Sequence, residues 1–316
     1  MKIAFCGSGE VAVPSLAALH QAGQEILAVY TQPPRKAGRG GKLRPTPVAQ
    51  RATALGLRVV AVENINREGH PEAIAASGAA MLAVVDFGQI ISRQVRQTTP
   101  LGAVCMHVSL LPELRGAAPV NWAIIRGLAR TGVTTFRVVR EIDAGPIFLQ
   151  EALEIGPEET AEELRGRLAV LGGALLVRTT EGLAAAGTLE AYEQDHAAAT
   201  MAPKLEKADG RLDFAQSAAT LANRIRGTWP WPGAHADFIH AGGSKSVRVI
   251  LARARAHAGG GGATPGTLGP DLRINTADGA IELLELQVAG KRLMTWRDFV
   301  NGYRAAAGDR FATVQE

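Results

Sequence analysis

The chain has 316 residues, of which 47% are hydrophobic and 20% charged, with a formal net charge of +4. That balance suits one large or two ordinary globular domains and excludes a disordered or collagen-like chain. No apolar run of about 18 residues is legible, which argues against a membrane span, and the opening MKIAFCGSGE lacks the apolar core of a secretory leader. Two isolated cysteines, Cys6 and Cys105, fit a reducing cytoplasm better than a disulfide framework. No CxxC or clustered His/Cys spacing suggests a metal site.

The predicted elements begin with a strand at residues 2–6 and a helix at 11–21. Between them Gly7-Ser-Gly-Glu-Val-Ala12 has the GxGxxA form of a dinucleotide-binding turn. A nicotinamide site also needs an acid at the end of the next strand to hold the ribose. That strand, ILAVYT at 26–31, runs into Gln32, so the glycines read as a tight strand-to-helix turn. Residues 31–48, TQPPRKAGRGGKLRPTPV, are predicted to be a mobile loop, because their prolines and glycines oppose regular structure. This loop lies in a zone with no acid between Glu25 and Glu63 but seven bases: Arg35, Lys36, Arg39, Lys42, Arg44, Arg51 and Arg58.

Further apolar runs at 57–62, 81–87, 103–108 and 131–139 alternate with helical patterns. Continuous β-branched runs of this kind predict a mostly parallel sheet covered on both faces. A long helical pattern at 160–186 completes a domain spanning 1–189, and the polar stretch 190–208 reads as a linker. Residues 209–316 change character. SVRVILARARAH, GTLG, LRINTADG and AIELLELQ are short strand patterns, with a hairpin signal at Ala277-Asp278-Gly279 and a loop at the glycine cluster 259–262. They predict a small β-barrel closed by a helix at 294–307. The fold class is therefore α/β: a Rossmann-like, mostly parallel N-terminal sheet domain with a smaller, OB-like C-terminal β-barrel domain.

Bases exceed acids only in the last third: 15 against 11 over 204–316, compared with 19 against 19 before it. Two basic zones far apart in sequence suit a polyanion that touches both; each could equally be a solvated face. His107 follows an apolar strand, and Ser109-Leu-Leu-Pro112 halts that strand at the sheet's carboxyl edge, where open α/β folds bind ligands. Asp143, in EIDAGP between two strands, is placed to set the tautomer and basicity of an imidazole, or else simply to form a turn before glycine.

GSGEVAVPSL, the basic TQPPRKAGRGG loop, VVDFGQI, HVSLLPELRGAAP, TGVTTFRVVREIDAGPI, KLEKADGRLDF and RIRGTWPWPGA occur in this order over nearly the whole chain. In that order and spacing the chain resembles the methionyl-tRNA formyltransferase family. The resemblance implies transfer of the formyl group of 10-formyltetrahydrofolate to the α-amino group of methionyl initiator tRNA. It implies His107 and Asp143 as catalytic residues, with Cys105 standing where the family has asparagine. It implies a folate pocket from Ser109, Leu110, Leu111 and Pro112 together with Val85, Asp86, Phe87, Gly88, Gln89 and Ile90. Arg35, Lys36, Arg39, Lys42 and Arg44, and then Arg224, Arg226, Lys291 and Arg292 of the barrel, become candidate tRNA contacts. Trp229 and Trp231 are expected to pack rather than stack on bases. The expected protein is a cytoplasmic monomer with no metal and no membrane partner.

Cys105 breaks the pattern, because a thiol is a weak donor where an amide would bind an oxyanion. The sequence leaves open a variant with another donor or a water there, a slower enzyme, or an introduced substitution. A formyl-thioester route ranks last, since direct transfer needs no enzyme nucleophile. Two rivals also stand: a sugar or nucleotide formyltransferase, which would not need the basic loop, and a folate- or RNA-binding module without turnover.

Overall fold

Strands apolar on both faces need cover on both sides, and the N-terminal half meets that need with a helix-flanked sheet. The computed structural model describes residues 1–37, 41–186, 189–259 and 263–314. Its contacts divide it into two units, one of residues 1–116, 131–153 and 165–201, the other of 117–130, 154–164 and 202–316.

The strands of the first unit are β1 (Lys2–Gly7), β2 (Glu25–Thr31), β3 (Arg35–Ala37), β4 (Lys42–Arg44), β5 (Val59–Ala61), β6 (Met81–Val85), β7 (Ala103–His107), β8 (Arg130–Arg137) and β9 (Ile147–Glu154). Seven form one sheet in the order β5-β2-β1-β6-β7-β8-β9. The first five run parallel, and β8 returns antiparallel to β7. Every residue of β6 is buried, as expected of a central strand. The direction of winding reverses between β1 and β6, so the carboxyl ends of β1, β6 and β7 open onto the switch-point crevice. The remaining pair, β3 and β4, forms an antiparallel ribbon in which Arg35 faces Arg44. This corrects the expectation of a loop without regular structure. Cross-strand hydrogen bonding prevails over the flanking prolines and glycines.

The helices are α1 (Ala12–Gln21), α2 (Pro47–Ala54), α3 (His70–Ala76), α4 (Arg93–Arg96), α5 (Pro119–Ile125), α6 (Ala161–Ala186), α7 (Ala218–Thr228) and α8 (Trp296–Tyr303). Thr46 starts α2 by accepting from the Ala49 amide, and Pro47 occupies the first turn, where no amide hydrogen is needed. Within the described residues, α6 is long and apolar enough to cross a membrane, and half of that apolar window is buried inside the protein.

The second unit carries β10 (Ala234–Ile239), β11 (Ser246–Ala258), β12 (Ile274–Asn275), β13 (Gly279–Val288), β14 (Leu293–Thr295) and β15 (Arg310–Thr313). Its sheet is antiparallel, in the order β12-β13-β11-β10-β15, with β14 on β13. The GTLG segment nearly closes the ring, because Thr267 bridges to Arg310 and Leu268 to Ile274. Phe238, Phe299 and Phe311 meet in the barrel core, and Trp296 stacks on Phe299. The closing helix is shorter than expected, because Met294 belongs to β14 and Thr295 caps α8. The segment 190–201, read as linker, is bound to the first unit. Tyr192 exchanges both backbone bonds with Ile147.

Candidate active site

Strand β7 alternates its side chains, so Cys105 and His107 share one face while Met106 takes the other. Phe136 and Thr134 of β8 stand opposite Cys105 and His107. Thr134 then organises the turn after the strand. Its hydroxyl donates to the Ser109 carbonyl at 2.7 Å and accepts from the Leu111 amide at 3.1 Å. Ser109 donates to the Glu113 carbonyl at 2.6 Å, closing the turn from within.

The turn delivers the Leu114 carbonyl to His107 Nε2, 3.0 Å away. A carbonyl only accepts, so Nε2 carries a hydrogen. Nδ1 is therefore the nitrogen available to other groups. It lies 3.7 Å from Asp143 Oδ2, close enough for charge to matter and too far for a direct hydrogen bond. Asp143 is held by the Gly116 amide, which donates to Oδ2 at 2.8 Å. Leu114 and Asp143 both have left-handed backbones, with φ of 59° and 51°. Such strain in non-glycine residues persists only where the surroundings over-determine it. The nearby Gly145 is required sterically, because a Cβ there would run into the Arg137 carbonyl.

Cys105 lies between two apolar clusters, one of Leu111, Phe136 and Ile147, the other including Val84 and Phe87. Burial pushes its thiol well above the ordinary range, and the Asp143 and Asp86 carboxylates push it further. The thiol is thus the neutral form at physiological pH, and among the described residues its partner is the Met106 carbonyl, 3.7 Å away. A neutral thiol in apolar surroundings is a poor nucleophile.

The ten residues assigned to a folate pocket divide by exposure. Val85, Phe87, Ser109 and Leu111 are buried. Gln89 is also committed, accepting from the Ile65 amide and donating to the Val62 carbonyl. Asp86, Gly88 and Ile90 are exposed, while Leu110 and Pro112 are half-buried. Although Asp86 as a residue is exposed, its carboxyl end is turned in beside the glycine turn, and that desolvation raises it, opposed by a hydrogen bond from the Val11 backbone at the start of α1. A Cβ on Gly9 would strike that carboxylate. The glycine turn after β1 therefore packs against the protein's own acid, and the space a dinucleotide phosphate would take at this helix start is filled. Arg96 ties the neighbouring segments together, donating to the carbonyls of Ile91 at 3.0 Å and Val139 at 2.9 Å.

Arg35, Lys36, Lys42 and Arg44 are exposed on the β3–β4 ribbon and form no ion pair among the described residues. Arg39 lies outside the described residues. Like charges opposed across a ribbon repel, and an anion would relieve the Arg35–Arg44 pair. In the barrel unit Lys291 and Arg292 are exposed. Arg224 is half-buried and donates to the Asp209 carbonyl at 2.9 Å. Arg226 requires correction as a phosphate contact. It is 7% exposed, and its guanidinium donates to the Glu159 carbonyl at 2.8 Å and to Asn223 Oδ1 at 2.6 Å. Trp231 is half exposed and Trp229 is more enclosed.

Sequence reasoning missed Leu114, Gly116, Thr134, Gln194 and Thr200, which hydrogen-bond to His107, to Asp143 or to the backbone beside them. Gly116 was visible within SLLPELRG. Thr134 was visible as the residue that antiparallel pairing would set against His107. No pattern singled out Gln194 or Thr200 within a polar, alanine-rich stretch.

Residues 1–180 match the formyl transferase family, and residues 204–304 match the formyl transferase C-terminal domain. The chain is 43% identical to a methionyl-tRNA formyltransferase of Solibacter usitatus over 98% of each chain. It is 42% identical to that of Koribacter versatilis over 99% of each. In fold it resembles an N-formyltransferase from Helicobacter canadensis solved with folinic acid and dTDP-3-aminofucose, with a TM-score of 0.63 and 16% identity over 92% of this chain and all of the other. With two domains matched in order and this identity sustained from end to end, the chain belongs to the methionyl-tRNA formyltransferase family.

Proposed function

We propose that this protein transfers the formyl group of 10-formyltetrahydrofolate to the α-amino group of methionyl initiator tRNA, and that His107 and Asp143 carry the reaction. The observation that supports this most is the geometry of the pair. Nε2 of His107 is taken by the Leu114 carbonyl, and Nδ1 faces the Asp143 carboxylate across 3.7 Å at the sheet's carboxyl edge. In this reading the amine lone pair attacks the formyl carbon, and the carbonyl π pair moves to oxygen. His107, protonated at Nδ1, donates to that oxyanion, and the Asp143 carboxylate stabilises the imidazolium and helps take a proton from the ammonium. The bond from carbon to the folate nitrogen then breaks, and that nitrogen leaves with a proton as tetrahydrofolate. Cys105 supplies no comparable donor and no nucleophile.

The exposed Gly88 and Ile90, with Leu110 and Pro112, are the surfaces left for the pterin, and the buried members of both segments set its depth. The ribbon bases Arg35, Lys36, Lys42 and Arg44, together with Arg39, take the acceptor end of the tRNA, and Arg224, Lys291 and Arg292 take phosphates elsewhere on it. We assign catalysis to residues 1–189 together with the segment 190–201 bound to them, the connection to 202–208 and tRNA binding to 209–316, in a cytoplasmic monomer. The test is formylation of charged initiator tRNA by the wild-type chain beside Cys105→Asn. Transfer should be measurable in both, and faster in the variant by up to about 10²–10³-fold, the value of one oxyanion donor. Folate and tRNA binding with no turnover in either protein would contradict the proposal.

A further inference from the structure

Two left-handed residues frame the reacting pair, and each is fastened by the same distant segment. Asp143 supplies the carboxylate, and Leu114 supplies the carbonyl that holds His107 Nε2. Gln194, 5% exposed, donates from Nε2 to the Asp143 carbonyl at 2.9 Å and to the Gly145 carbonyl at 2.7 Å. Its Oε1 accepts from Arg115, at 2.6 Å from Nη2 and 3.2 Å from Nε. Arg115 Nη2 also lies 3.1 Å from His196 Nδ1. The Thr200 hydroxyl accepts from the Leu114 amide at 2.9 Å, and the Thr200 carbonyl accepts from the Arg115 amide at 2.8 Å.

We propose that Gln194 and Thr200 are positioning residues for formyl transfer, and that the segment 192–201 is a strap setting the separation of His107 and Asp143. The inference rests on the reading of those two residues as the reacting pair. The contacts favour this role over simple packing. Two of these polar bonds fall on the backbone of the strained residues themselves: Gln194 on the Asp143 carbonyl and Thr200 on the Leu114 amide. Gln194 satisfies two carbonyls and a buried guanidinium at once, so no apolar side chain of the same size can replace it. Thr200 acts one residue removed from the imidazole: its hydroxyl fixes the Leu114 amide, and the Leu114 carbonyl fixes the ring. The strap begins where Tyr192 pairs with Ile147 and ends at Met201, which bridges to Arg115.

The test compares Gln194→Met, Thr200→Val and Thr200→Ser with the wild-type enzyme, using 10-formyltetrahydrofolate and methionyl initiator tRNA. A misplacement of about 1 Å in the pair should lower kcat about 10²-fold in Gln194→Met and Thr200→Val, because oriented groups lose rate steeply with displacement. KM for both substrates should stay near wild type, and Thr200→Ser, which keeps the hydroxyl, should restore kcat. Nitrogen-15 spectra of labelled histidine should show the His107 ring nitrogens shifted in Thr200→Val and not in Thr200→Ser. Unchanged kcat in both removal variants, or a loss that Thr200→Ser shares, would overturn the strap. His107→Ala separates the two levels. Full activity there would sink pair and strap together, whereas loss there with unimpaired Gln194→Met and Thr200→Val would sink the strap alone.

Discussion

Replacing Asp143 with Asn removes a charge and little else. The amide keeps an oxygen to accept from the Gly116 amide, which now donates at 2.8 Å. Asn also tolerates the left-handed backbone found here better than most residues, so folding stability should change by less than about 1 kcal/mol. What disappears is a negative charge 3.7 Å from the imidazole. At the effective dielectric of a partly buried site, such a charge is worth up to about 4 kcal/mol to a developing imidazolium. That bounds the loss in single-turnover formylation at roughly 10³-fold. Asp143→Ala is the control for structure. It strands the Gly116 donor at about 1–3 kcal/mol and places alanine in the left-handed region at about 1–2 kcal/mol. Urea unfolding should therefore separate the variants: Asn near wild type, Ala clearly destabilised, both slow. An Asn variant within about twofold of the wild-type rate would refute the electrostatic role, since a twofold change corresponds to only about 0.4 kcal/mol.

The basic ribbon should govern salt dependence. Lys42→Glu with Arg44→Glu should flatten the slope of log affinity for initiator tRNA against log salt by about 2, and leave folate affinity unchanged. Arg226→Met should do the reverse, costing about 2–3 kcal/mol of stability through lost charged hydrogen bonds and leaving the salt slope as it was. Stability should also fall with acid at one identifiable pair. The hydrogen bond from Arg253 lowers the Glu163 carboxyl from 4.5 to about 2. A carboxylate depressed on folding stabilises fully above its unfolded value, and that contribution is lost as pH drops from about 4.5 to about 2. Glu163 is half exposed, so screening limits the effect to roughly 1 kcal/mol. Arg253→Met should remove that part of the slope in denaturant titrations over this window.

Much of this architecture was written in short-range pattern. Continuous apolar runs marked the central strands. Gln32 at the end of β2 argued against a dinucleotide, and the structure adds the complementary reason, the Asp86 carboxylate packed against the glycine turn. His107 and Asp143 stood out as candidates because strand ends and turns announce themselves locally. The supports were not, because their information is long-range. Gln194 acts on residues about fifty positions earlier, and nothing in a polar stretch indicates which carbonyl it will meet. The β3–β4 ribbon escaped notice because its pairing across a glycine-rich connection overrides the local preference of the prolines that flank it. Arg226 was misplaced for a related reason. A base near the end of an amphipathic helix reads as surface until tertiary packing shows which carbonyls surround it.

The most direct test of the central claim is transfer of labelled formyl from 10-formyltetrahydrofolate to the α-amino group of methionyl initiator tRNA, measured for the wild-type chain and for His107→Ala. N-formylmethionyl-tRNA is expected from the first, and from the second a rate lower by about 10²-fold or more, in the range of a lost general acid or base. Equal rates from a correctly folded His107→Ala protein would contradict that claim.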